Sequence, residues 1–213
     1  MIATAILPVK RFDAAKQRLA AGIEDERRAQ VVAAMLEDVL EAIGETRSIE
    51  RTIIVTSEPA AAELSAAAGA EVLDDPGEGG HSGAAFAGVA RAEELGAECA
   101  ILLPGDCPLL DPRELERLLT GVPGRYVAVV PDRHGTGTNA LVLSPPNAIA
   151  PAFGEGSCAR HVAAARDAGI PYLVEELPSL GLDLDTPADV IALTRVLEAD
   201  RSRGRRTAKA LGI

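Results

Sequence analysis

One carboxylate, Asp106, follows the run AILLPG (100–105), an apolar stretch closed by Pro-Gly. The run reads as a buried strand, which Pro104 and Gly105 end before letting the chain turn sharply. The helix that comes next already has an N-cap in Asp111, with Pro112 at its first position. Asp106 is therefore spare, and a spare carboxylate at a strand tip suits a hard cation such as Mg2+, which takes oxygen ligands. A second acid comes from LDLDTPADV (182–190). Asp183 and Asp185 are two residues apart, so in extended chain both point to the same face. Either can join Asp106 on one cation, while Asp185 or Thr186 caps the helix that starts at Thr-Pro.

Anion-holding groups are found elsewhere. The segment LPVKRFDAAKQRL (7–19) carries Lys10, Arg11, Lys16 and Arg18 directly after the first strand. It lacks the glycine pattern of a Walker loop or a dinucleotide fingerprint. Clustered cations there, in a chain of net charge −11, point to a triphosphate. HGTGTNAL (134–141) and FGEGSCARH (153–161) are both glycine-punctuated and carry hydroxyls. In the second, Gly156-Ser157 opens a helix whose first N–H groups can hold a phosphate or carboxylate.

The elements that must position these groups alternate along the chain. Apolar runs at 2–9, 51–57, 70–75, 99–105, 125–132, 138–144 and 170–176 read as strands. Helical patterns fill 24–45, 58–69, 84–96, 111–122, 156–169 and 186–201, and PGEGGHSG (76–83) reads as a loop. Such alternation predicts a single α/β domain with a mostly parallel sheet and helices on both faces. Ligands of such folds lie beyond the carboxyl ends of the strands, where Asp106 is expected. Residues 1–200 form that domain, and RSRGRRTAK (201–209) opens a basic C-terminal tail, 201–213, that reads as solvated.

Composition limits the rest. The chain has 213 residues, 47% hydrophobic, only 2% aromatic and without Trp, so its core must be Ala, Val, Leu and Ile. A net charge of −11 argues against a nucleic-acid partner. Three cysteines without CxxC spacing fit a reducing cytoplasm rather than a disulfide framework. The N-terminus reads as neither signal peptide nor membrane span.

Taken in order, PVKRFDAAKQRL, GDCP, DRHGTGTNAL, FGEGSCARH and LDLDTPADV resemble the guanylyltransferases of coenzyme F420 biosynthesis, from about residue 2 to residue 197. That family joins GMP from GTP to phosphoenolpyruvate or to 2-phospho-L-lactate. GDxP alone is shared with other nucleotidyltransferases, including molybdenum-cofactor guanylyltransferases. The resemblance implies a nucleotidyltransferase-like (Rossmann-like) fold. It further implies acceptor contacts at Thr138, Gly154 and Ser157, metal carboxylates at Asp106 and the Asp183/Asp185 pair, and catalytic cations Lys16 and Arg18 on the GTP phosphates with Lys10 beside them. The resemblance also implies that the nucleoside meets Gly80, His81 and Ser82, where this chain has GGHSG in place of the family's GGLN. His161, four residues past Ser157, adds a donor to the acceptor site or is a buried helix residue.

The chemistry needs no nucleophilic side chain. A phosphate monoester is largely a dianion at neutral pH, so its oxygen attacks the GTP α-phosphorus unaided. Repulsion between two polyanions is the obstacle, which Mg2+ and the basic residues offset. The expected reaction gives enolpyruvoyl-2-diphospho-5'-guanosine and pyrophosphate, with the product passing to a downstream transferase. Alternatives are 2-phospho-L-lactate as acceptor, molybdenum-cofactor guanylyltransfer, or a nucleotide-binding module without turnover. A homodimer is one assembly the sequence leaves open.

Overall fold

The computed structural model describes residues 2–12, 25–121, 123–184 and 186–213. Lys16, Arg18 and Asp185 lie outside the described residues. The elements run β1 (Ala3–Val9), α1 (Asp25–Glu45), β2 (Ile49–Thr56), α2 (Pro59–Ala67), β3 (Glu71–Asp74), α3 (Gly80–Glu94), β4 (Cys99–Leu102) and α4 (Pro112–Leu119). They continue with β5 (Tyr126–Pro131), β6 (Thr138–Ser144), α5 (Ser157–Asp167), β7 (Tyr172–Val174), α6 (Pro187–Ala199) and α7 (Arg205–Leu211).

The seven strands form one sheet in the order β3-β2-β1-β4-β6-β5-β7. Only β6 runs against its neighbours β4 and β5, and the other pairs are parallel. The expected single α/β domain with a mostly parallel sheet is thus the observed one.

Strand side chains alternate between two cores, as a period of two requires. On one face Ala5, Leu7, Ile101, Ala128 and Val142 pack with Val31, Met35 and Val39 of α1, Leu115 of α4 and Leu193 of α6. On the other, Ile6, Leu102, Val129 and Leu141 pack with Ala85 and Val89 of α3 and Ala165 of α5. The largest fully buried side chains are Ile, Leu and Met, as the aromatic-poor composition demands. Small residues let α3 approach closely: a Cβ on Gly88 would stand 2.3 Å from Ile6 Cγ2.

Two expectations are corrected. The segment 76–83 is not all loop, because α3 begins at Gly80. Gly79, at φ 74°, turns the chain into the helix, and the Gly83 N–H donates back to Gly79 O at 3.2 Å. His81 and Ser82 therefore lie in the first turn of a helix. The basic segment 201–213 is not a solvated tail either. Its residues 205–211 form α7, which packs on α1. The buried Asp38 carboxylate of α1 accepts from Arg206 N at 3.1 Å, Thr207 N at 2.9 Å and Thr207 Oγ1 at 2.7 Å. Gly204 has no side chain to cap α7, so Asp38 supplies the cap from another helix. Arg206 then pairs with Glu37, Asp38 and Glu41, so these charges hold the segment down rather than solvate it.

Candidate active site

Asp106 sits half-buried just beyond the carboxyl end of β4. Asp111, not Asp106, caps α4, accepting from Arg113 N at 2.9 Å. The loop with the second carboxylate is tied beside it. Leu184 N–H donates to Asp106 O at 3.4 Å, and the Leu184 side chain is fully buried. Asp183, the residue before it, is half-buried. Four further ties fix this loop. Asn139 Nδ2 donates to Leu180 O at 2.6 Å, and Cys107 Sγ lies 3.8 Å from the same oxygen. Glu114 accepts from Ser179 N at 3.0 Å, and Arg133 pairs with the buried Asp189. Asp189 also accepts from Thr186 N at 2.7 Å, completing a capping box at the start of α6. Thr186 and Asp189 thus do the capping. Among the described residues no group of three His, Cys, Asp or Glu side chains forms a metal cluster.

In the segment expected to meet the nucleoside, the half-buried His81 ring feels Lys10, Asp106 and Asp75 together. Burial lowers its pKa most, Lys10 lowers it further, and the two aspartates act in the opposite direction. Charges that follow β1, β3 and β4 therefore act on His81. Ser82 is committed elsewhere: its hydroxyl accepts from Phe153 N at 3.0 Å. His81 also meets Phe153 edge-on, with ring centroids 5.0 Å apart. The expected nucleoside segment and the expected acceptor loop are thus directly joined.

The three residues expected to contact the acceptor lie together. Ser157 Oγ lies 3.1 Å from Thr138 Oγ1, and Ser157 N donates to Gly154 O at 3.0 Å. Gly154 has φ 110°, a conformation that L side chains rarely adopt. The loop around it is clamped from α5. Arg160 donates to Ala152 O at 3.0 Å, to Phe153 O at 3.3 Å, and to Glu155 O. His161 is fully buried, with Nε2 accepting from Ala152 N at 2.9 Å and Nδ1 3.1 Å from Thr138 Oγ1. Burial, aided by the Arg160 charge, pushes its pKa down to about 4, so the ring is neutral near pH 7.

Hydroxyls and a helix start on one side, with carboxylates at a strand end on the other, suit transfer between two anionic substrates. Residues 3–212 match the family described as Guanylyl transferase CofC like. The chain belongs to that family. A curated relative from Conexibacter woesei, named phosphoenolpyruvate guanylyltransferase, is 46% identical over 95% of this chain and 92% of its own. Another, from Phenylobacterium zucineum and named 3-phospho-D-glycerate guanylyltransferase, is 38% identical over 99% of this chain and 95% of its own. A solved structure described as a putative nucleotide-diphospho-sugar transferase from Desulfovibrio desulfuricans G20 superposes with TM-score 0.77 at 16% identity, covering 99% of this chain and 94% of its own. That likeness carries the fold alone.

Several working parts of this CofC-like guanylyl transferase escape a motif reading. Asn139 lies inside GTGTNAL yet serves the carboxylate loop through Leu180 O. Arg160 lies inside FGEGSCARH yet serves the loop carbonyls. Both are polar residues within site motifs, which is the one signal that marks them. Arg133 and Asp189 are 56 residues apart, and nothing in the sequence pairs them. Among the described residues no helix is long and apolar enough to cross a membrane.

Proposed function

We propose that this enzyme transfers GMP from GTP to phosphoenolpyruvate, releasing pyrophosphate and giving enolpyruvoyl-2-diphospho-5'-guanosine for coenzyme F420 biosynthesis. The observation that carries this reading is the Thr138–Ser157 hydroxyl pair, set at the start of α5 and 3.1 Å apart. The pair suits a small carboxylate- and phosphate-bearing acid. An acceptor phosphate oxygen attacks the GTP α-phosphorus, a new P–O bond forms, and the bond to the bridging oxygen breaks as pyrophosphate leaves. The acceptor is already a dianion, its second pKa being about 6, so no side chain has to remove a proton.

Thr138, Gly154 and Ser157 orient the acceptor, which supplies the proximity contribution. Lys10, Lys16 and Arg18 meet the triphosphate, and Gly80 and His81 meet the nucleoside. Asp106 with Asp183 or Asp185 would hold Mg2+. The half-buried carboxylates of the tied segments are an oxygen donor set that fits it. When bound, Mg2+ neutralises phosphate charge. Three buried cysteines fit a reducing cytoplasm, and the reactive product suits direct hand-over to a downstream transferase.

A second acceptor, 3-phospho-D-glycerate, is favoured by the name of the Phenylobacterium relative. The test is pyrophosphate release from GTP and Mg2+ with phosphoenolpyruvate, 2-phospho-L-lactate or 3-phospho-D-glycerate in separate tubes, with ATP and CTP as controls and the downstream transferase in a parallel set. Release with phosphoenolpyruvate and GTP is expected. Release only with another acid reassigns the acceptor, and release with none removes the reading.

A further inference from the structure

The head of α5 contains a hydrogen-bonded chain whose direction the backbone sets. The Ala152 N–H can only donate, and it donates to His161 Nε2 at 2.9 Å. A ring nitrogen that accepts carries no proton, so the neutral ring holds its proton on Nδ1. Nδ1 lies 3.1 Å from Thr138 Oγ1 and therefore donates to it. The same oxygen lies 3.1 Å from Ser157 Oγ. The two hydroxyls own two protons, and only one can lie between their oxygens. Neither hydroxyl has another acceptor among the described residues, so one proton remains for a ligand. Were the ring reversed, Thr138 would donate to Nδ1 and Ser157 to Thr138. Both protons would be consumed, and the pair would offer only lone pairs to an anion.

We infer that His161 is a positioning residue that acts as a one-way donor, orienting the Thr138–Ser157 pair so that a hydroxyl proton faces the anionic acceptor. This rests on the acceptor-site reading above. His161 and Ser157 are fully buried while Thr138 is partly exposed, so the chain opens toward a ligand at Thr138. The same ring also fixes Ala152, and the neighbouring Arg160 fixes the carbonyls of Ala152 and Phe153. The helix thus sets both the loop and the polarity of the hydroxyls.

Two substitutions separate the ring's two bonds. In His161→Asn the amide nitrogen falls near the Nδ1 position and keeps a donor for Thr138. In His161→Gln the side-chain amide reaches the Nε2 position, keeping a partner for Ala152 and losing the donor. His161→Gln is expected to raise the acceptor KM by roughly tenfold or more, the worth of one hydrogen bond to a charged group. The GTP KM should stay close to that of the parent. His161→Asn is expected to recover most of the acceptor affinity. Equal effects of the two variants, or a GTP KM rising in step with the acceptor KM, would overturn the proposal in favour of a merely structural histidine. Independently of turnover, 15N NMR of the imidazole, assigned against His161→Asn, should show Nδ1 protonated and Nε2 bare. The opposite tautomer would overturn the proposal even in a fully active enzyme. A parent enzyme that turns over none of the three acids removes the acceptor reading, while the ring tautomer still decides whether His161 sets the polarity.

Discussion

The Leu184 amide donates to the Asp106 carbonyl at 3.4 Å, so two segments 78 residues apart are joined by main chain at the point where each carries an acid. The core anchors the later segment, since the Leu184 side chain is fully buried. Asp106 is the described carboxylate at the strand end for which the metal role is proposed, and a hard cation there takes oxygen ligands. Asp106→Asn keeps the shape and removes one charge. Turnover should fall by about a hundredfold or more, while Tm moves by no more than a few degrees. Pyrophosphate release and a thermal melt on the same preparation check this. A variant with near-parent activity would remove the metal assignment.

The Ile6–Gly88 contact concerns the fold rather than the chemistry. Any side chain at 88 meets a stiff, fully buried Ile6, whose Cγ2 lies 2.3 Å from an added Cβ. Gly88→Val should cost about 2 kcal/mol or more in urea unfolding, through overpacking between α3 and β1. A variant as stable as the parent would mean that α3 can shift outward at little cost.

Much of the architecture could be read from the sequence because it rests on periodicity. The alternating cores follow from apolar runs such as ATAILPV, and the α4 cap follows from Asp111-Pro112. What could not be read rests on contacts between distant residues. Three glycines at 79, 80 and 83 read as helix breakers, yet positive φ at Gly79 is how α3 begins, and that puts His81 and Ser82 on a helix. The pairing of Thr138 with Ser157 was legible only as two hydroxyl-bearing motifs. The His161 ring beside Thr138, and the Ser82–Phe153 link, depend on three-dimensional placement. The basic segment after residue 200 was misread for the same reason: its partner Asp38 lies on α1, more than 160 residues earlier.

That partner gives a prediction of its own. Asp38→Ala leaves the Arg206 and Thr207 donors without their acceptor and removes the cap of α7. The cost should be about 1–3 kcal/mol, with α7 amides losing protection first in hydrogen exchange. The acceptor and GTP KM values should hold, because α7 packs on α1, outside the site. Protection lost across the whole sheet instead would mean that α7 is not a separable unit.

His161 also leaves a mark on stability against pH. Its folded pKa of about 4 lies below the ordinary 6.5, so the unfolded chain binds a proton that the folded chain refuses. The neutral ring's contribution is complete above the unfolded value and is lost as pH falls toward the folded one. From about pH 7 to about pH 5 that loss is on the order of 2 kcal/mol, at 1.36 kcal/mol per pKa unit. Carboxylates contribute to acid unfolding too, so the informative quantity is a difference. Urea unfolding of the parent and of His161→Asn across that range should show the parent losing stability more steeply, with the two slopes meeting above neutral pH. Parallel slopes would mean that the ring takes up its proton in the folded chain, and the bond from Ala152 could not then hold Nε2 bare.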